Sequence, residues 1–209
     1  MNDPASDMGR IVILISGRGT NMERLIQACL AGEIPAQVVR VISDNPAAQG
    51  LQRAQAYGVP TVIVPARAFP DRAAFEEALL EAVREAAPDL ICLAGFMRIL
   101  SPRFVQAYRY RIMNIHPALL PSFPGLHAQR QALEYGVKVS GCTVHFVDEG
   151  VDTGPIIVQK AVPVREDDTE ATLAARILEK EHEAYPEAVR LFFEGRLRVE
   201  GRRVRILER

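Results

Sequence analysis

Residues 10–16 read Arg-Ile-Val-Ile-Leu-Ile-Ser, a continuous apolar run of strand length in which residues 11–15 leave no polar position to face water. That is the pattern of a strand covered on both faces. Residues 37–43 form a second apolar run, 61–64 a third predicted strand, and 89–94 a fourth that reads as buried. Between them lie stretches with helical spacing: 22–30, a segment ending near Tyr57 after the Asp44-Asn45-Pro46 turn, and 71–86, which Pro88 stops. Short apolar strands alternating with amphipathic helices predict an α/β protein with a mostly parallel, doubly wound sheet. Ligands of such sheets sit beyond the carboxyl ends of the strands. The segments expected to cluster there are 17–21, 43–46, 65–72, 95–100 and the chain from His116 onward.

The second half of the chain changes rhythm. Residues 111–115 form a fifth predicted strand, ending in Asn114 and His116, and 129–135 a helix ended by Gly136. Residues 139–147 alternate well and 156–164 less regularly, which suggests two strands around a loop at 148–154. Residues 169–193 predict one long helix, bent near Pro186, and 196–207 a terminal hairpin, so the sheet acquires an antiparallel C-terminal extension. Ser101-Pro102 reads as a helix cap followed by proline at the first helical position. No repeat, low-complexity tract or linker interrupts the 209 residues, and a single domain (1–209) is the expected organisation.

Composition narrows the function classes. Apolar residues make up 48% of the chain and the formal net charge is −1, the profile of a globular protein without a broad basic face for nucleic acid. The C-terminal arginines 196, 198, 202, 203, 205 and 209 alternate with Leu197, Val199, Val204 and Ile206, as on a solvated strand face. The three cysteines, Cys29, Cys92 and Cys142, form no CxxC pair. Cys29 on a helix and Cys92 in an apolar run read as small buried hydrophobes of a reducing compartment. Residues 1–10 are polar and acidic without a signal-peptide core, and no apolar run approaches a membrane span. A cytoplasmic protein acting on small molecules, with no membrane or nucleic-acid partner and present as a monomer or homodimer, is expected.

The candidate chemistry lies at the strand ends. Gly17-Arg18-Gly19-Thr20-Asn21 joins a strand to a helix start, an arrangement that suits an anion, and Thr20 or Asn21 can cap the helix. It is not G-x-G-x-x-G, and a tight turn without ligand explains the residues equally well. Gly95-Phe96-Met97-Arg98-Ile99-Leu100 reads either as packing beneath a helix or as a wall for a flat apolar ligand. Asn114 and His116 project to one side of an extended segment, and Pro117 keeps His116 extended. With Asp152 on a later loop they supply an acid/base and an oxyanion donor. An imidazole titrates near roughly pH 6.5, so a neighbouring carboxylate favours its charged form. His145, alternating with Val144 and Phe146, reads as a structural histidine, and His182 as a surface or substrate-site residue. The histidines show no metal-ligand spacing, there is no G-x-S-x-G elbow, and no base stands near a cysteine. Direct attack by an amine or water is what remains.

Four blocks carry a family likeness: residues 15–21, 93–101, 114–125 and 148–155. Together they resemble the phosphoribosylglycinamide formyltransferases, the folate-dependent glycinamide ribonucleotide transformylases of purine synthesis, over about residues 10–195. The resemblance implies a Rossmann-like formyltransferase fold with a ribonucleotide-phosphate side (about 10–110) and a half completing the catalytic and folate cleft (about 111–209). It implies 10-formyltetrahydrofolate as cosubstrate and no metal. By position, it gives Gly19, Thr20 and Asn21 to the ribonucleotide phosphate and Glu181 to the ribose. Folate contacts fall on Arg72, Met97, Arg98, Ile99, Leu100, Asn114, Asp148, Glu149, Gly150, Val151 and Asp152. The implied catalytic trio is Asn114, His116 and Asp152. Where the family often has a polar side chain three residues before the ribose-binding acid, this chain has Leu178. A formyltetrahydrofolate hydrolase, with water as acceptor, is the nearest alternative.

Overall fold

The computed structural model describes residues 8–209, and the acidic N-terminal stretch lies mostly outside them. The chain forms two compact units, Met1–Met113 and Asn114–Arg209.

In the first unit, strands β1 (Gly9–Ile15), β2 (Ala36–Ser43), β3 (Thr61–Ile63) and β4 (Leu90–Leu93) lie side by side in the order β3-β2-β1-β4, and all three pairings are parallel. Helices α1 (Thr20–Leu30), α2 (Gln49–Ala56) and α3 (Arg72–Glu85) make the crossovers. Ile11 through Ile15 are 0% exposed. The run without polar positions is therefore buried on both faces, each large side chain contributing roughly 1.5–3 kcal/mol. The chain leaves β1 toward β2 and returns on its other side as β4, so the strand order reverses between β1 and β4. The crevice beyond their carboxyl ends is the place where open α/β sheets bind ligands. A 3-10 turn at Ala66–Ala68, unmarked in the sequence pattern, leads from β3 toward α3.

Ser101 caps α4 (Pro102–Ala107) by accepting from Phe104 N–H, as expected, and Asp71, expected inside the helix, caps α3 by accepting from Ala74 N–H. The expected cap of α1 is different. Gly19 occupies the cap position in the left-handed region (φ 71°), and Thr20 and Asn21 fall inside the helix rather than capping it. The helix starts earlier because glycine can turn the chain there without side-chain help.

Strand β5 (Ile112–His116) carries the chain into the second unit. There β6 (Val139–Phe146) pairs antiparallel with β7 (Ile156–Pro163), which meets β9 (Arg203–Ile206) in parallel at Ile156 and Arg203. β9 pairs antiparallel with β8 (Leu197–Glu200). Helix α5 (Ala128–Tyr135) ends at Gly136 (φ 84°). Helix α6 (Glu170–Phe193) packs on β6 and β7 and starts at a capping box made by Thr169 and Thr172. Its helical run continues through Pro186 without interruption. On the hairpin, Arg198 and Arg205 are exposed and both pair with Glu200.

Cys92 is buried, as expected, and so is Cys142, but Cys29 is half-buried, at the edge of the covered face of α1. Burial pushes the thiols of Cys29 and Cys142 up to about 12. No helix among the described residues is long and apolar enough to cross a membrane.

Candidate active site

The first unit presents two segments at the carboxyl ends of β1 and β4. After Ile15 the chain turns through Gly17 and Gly19 into α1, and the loop lies against the start of α2. Gly50 N–H donates to Gly17 O at 2.9 Å. A Cβ on Gly19 would stand 2.9 Å from Gly50 Cα, and one on Gly50 3.2 Å from Gly17 O. Both positions therefore need glycine for close backbone approach, and Gly19 also for its left-handed turn. The first-turn N–H groups of a helix lack intrahelical acceptors and sit at the positive end of its dipole. A short glycine turn of this kind leaves them open to an anion. Asn21 is buried in that first turn.

The second segment walls a cleft of about 400 Å³, lined by Arg72, Phe75 and residues 96–100 among others. Met97 and Ile99 are 68% and 58% exposed, whereas Leu100 is buried. Arg72 donates to Ile99 O at 2.7 Å, and Glu76 accepts from Ser101 N–H at 2.7 Å. Arg98 reaches Asp44 at 2.7 Å and lies over the Phe75 ring, 5.2 Å from its centroid. The strand-end segments of this unit thus meet as the fold class requires.

In the second unit Asn114, His116 and Asp152 come together. His116, buried at the end of β5, directs Nε2 at Phe123 O, 2.7 Å away. A carbonyl only accepts, so Nε2 carries hydrogen. Nδ1 faces Asp152 Oδ2 at 3.5 Å, and the same oxygen accepts from Gly125 N–H at 2.8 Å. Asp152 adopts a positive φ of 54°, an uncommon conformation for a residue with a side chain. The turn before it is built by Asp148, whose Oδ1 accepts from Gly150 N–H at 3.0 Å and Thr153 Oγ1 at 2.6 Å. Gly154 permits the return, because a Cβ there would fall 1.7 Å from Phe146 O. Val151 is 47% exposed and Glu149 is exposed beside it.

His145 belongs to this cluster, which the alternation of β6 did not reveal. Its Nδ1 donates to Phe146 O at 2.9 Å. Its Nε2 lies 3.4 Å from Asn114 Nδ2 and 3.9 Å from Asp152 Oδ1. Burial pushes its pKa down, against the opposing pull of the Phe146 carbonyl and Asp152. A neutral ring with hydrogen on Nδ1 leaves Nε2 to accept from Asn114, which fixes the orientation of that carboxamide.

Two further residues outside the sequence reading hold the proline-rich loop. Thr143 Oγ1 donates to Ala118 O at 2.7 Å and accepts from Leu120 N–H at 3.1 Å, while Gln159 donates to Leu120 O at 2.9 Å. Thr143 lies two residues before His145, on the same face of β6, and that spacing was the one available signal. Glu181 is buried on α6, and its charge helps to raise the Cys142 thiol on β6. Leu178 and His182 are half-buried on the same helix. Among the described residues no group of three or more His, Cys, Asp or Glu side chains is placed to hold a metal ion.

An α/β frame whose second unit gathers an imidazole, a carboxamide and a carboxylate, groups suited to acid/base and oxyanion work, defines a class: an enzyme acting on small molecules. The formyl transferase family model matches residues 9–189, and the chain belongs to that family. It is 46% identical over 189 residues to phosphoribosylglycinamide formyltransferase of Escherichia coli (strain K12), covering 90% of this chain and 89% of that protein. It is 52% identical over 188 residues to the trifunctional purine biosynthetic protein adenosine-3 of Drosophila melanogaster, covering 89% of this chain. The chain spans only 14% of that trifunctional relative's length. Among solved structures, glycinamide ribonucleotide transformylase 1 from Symbiobacterium toebii superposes with a TM-score of 0.95 at 55% identity, covering 99% of this chain and 96% of that one.

Proposed function

We propose that the chain transfers a formyl group from 10-formyltetrahydrofolate to the amine of glycinamide ribonucleotide. The observation that carries this reading is the His116–Asp152–Asn114 cluster, in a chain that belongs to the formyl transferases. The amine attacks the formyl carbon and the carbonyl electrons move onto oxygen, giving a tetrahedral oxyanion. The bond from carbon to N10 of the folate then breaks. The proton lost by the amine goes to N10, so tetrahydrofolate leaves neutral at that atom.

Charge develops on the former carbonyl oxygen, and donors aimed at it contribute the largest share of catalysis in such reactions. Asn114 supplies an N–H whose direction His145 sets. His116 supplies Nε2–H, which Phe123 O holds in the resting chain at 2.7 Å and which turns to the oxyanion during reaction. Asp152 stabilises the charged imidazole. Gly19, Thr20 and Asn21 hold the ribonucleotide phosphate at the start of α1, and Glu181 the ribose. Arg72, residues 97–100 and the 148–152 loop hold the folate.

The test is turnover of 10-formyltetrahydrofolate with and without glycinamide ribonucleotide. Formation of tetrahydrofolate that depends on the ribonucleotide supports the reading. Equal release of formate without it assigns water as the acceptor and a hydrolase instead.

A further inference from the structure

Asp44 follows directly on β2 and is nearly closed to solvent, its side chain 6% exposed while that of its partner Arg98 is 45% exposed. Both carboxylate oxygens are engaged. Oδ1 accepts from Ser16 Oγ at 2.7 Å, and Oδ2 accepts from Arg98 Nε at 2.7 Å. The single hydroxyl hydrogen of Ser16 is therefore spent on Asp44, which leaves its oxygen to accept from Met97 N–H at 2.9 Å. Ser16 in turn is the residue between β1 and the glycine loop, and Asn45 Nδ2 donates to its carbonyl at 3.3 Å. One carboxylate thus reaches the 97–98 backbone and guanidinium on one side and the end of β1 on the other.

We propose that Asp44 is a positioning residue that fixes the 97–100 segment against the end of β1, so that the folate-binding wall and the glycine loop are held as one piece. The proposal rests on the reading of residues 97–100 as the folate segment. Packing cannot hold the near end of that segment, because Met97 is 68% exposed. Its far end is fastened by Arg72 on Ile99 O and Glu76 on Ser101 N–H. The near end depends on Ser16 and Asp44, with Phe75 beneath the Arg98 guanidinium. A carboxylate offers one acceptor oxygen to each donor here. An asparagine keeps only one such oxygen, so either Arg98 Nε meets an N–H₂ or the Ser16 hydroxyl loses its acceptor, and Arg98 loses its charged partner in both cases.

The test measures tetrahydrofolate binding by calorimetry, and steady-state kinetics, for Asp44→Asn, Ser16→Ala and the double variant, with Met97→Asp as a control on the folate segment. Each single change is expected to raise the tetrahydrofolate Kd and the KM for the formyl donor about tenfold, with kcat little altered, as misplacement of a binding wall does. The double variant is expected to be no worse than the weaker single, since both act through one chain of bonds. Weakened binding in Met97→Asp with unchanged binding in both single variants overturns the proposal, as do losses that add in the double variant. Unchanged binding in Met97→Asp overturns the folate reading and the proposal with it. If Asp44→Asn does not fold, Ser16→Ala alone decides, because wild-type affinity in that variant overturns the coupling.

Discussion

A histidine buried as a neutral ring brings its own pH dependence. Burial lowers the His145 pKa, so between the folded value and the ordinary value near roughly 6.5 the unfolded chain binds the extra proton. Stability from this residue is complete above that range and is lost as pH falls through it. His145→Gln keeps a polar side chain and removes the titration. The urea midpoint of the wild type is expected to fall more between pH 7.5 and pH 5.5 than that of the variant, and parallel pH profiles would refute the assignment. The role proposed for Asp152 lies in the chemistry instead. Asp152→Asn keeps the shape but removes the charge facing His116, and kcat is expected to drop by about two orders of magnitude, with the circular dichroism spectrum unchanged. That Asn114, His116 and Asp152 would meet was legible, because a strand end and a glycine-bracketed loop belong to the same edge of such a sheet. His145 was not, because alternation reports only that a position is covered, and its partners come from β5 and a loop distant in sequence.

At the scale of elements, the meeting of Gly19 and Gly50 shows what local pattern cannot reach. The glycine turn after β1 was legible as a turn. Its second wall, the start of α2, was not, since nothing near Gly50 in sequence announces a contact thirty-one residues back. Gly50→Ala would place a methyl group 3.2 Å from Gly17 O and 2.5 Å from Ile15 Cδ1. It is expected to raise the KM for the ribonucleotide about tenfold by shifting the loop and to lower the thermal midpoint by several degrees. Gly58→Ala serves as the comparison. Its positive φ makes alanine unfavourable by about 1 kcal/mol, but a Cβ there meets nothing within 4 Å. Its ribonucleotide KM is expected to match the wild type, and equal KM effects in the two variants would contradict the loop contact.

Across the whole chain, the alternation of buried strands and helices made the parallel sheet of the first unit legible, because a strand covered on both faces has no other composition available. The antiparallel strands of the second unit were legible as strands. Their lateral order was not, for β9 pairs with β7 at a single residue pair, Ile156 and Arg203. The three cysteines, set aside by the chemistry, are distributed over both units: Cys29 on α1, Cys92 in β4 and Cys142 in β6. Burial pushes the Cys29 and Cys142 thiols up, so little of either is ionised at neutral pH. A maleimide dye therefore meets the chain chiefly when an element opens, and labelling becomes a clock for three separate openings. Read by mass spectrometry of peptides along a urea series, Cys29 is expected to take the dye first, while Cys92 and Cys142 wait for their own strands to part. Rapid, equal labelling of all three without urea would mean that the strands open as readily as the helix edge.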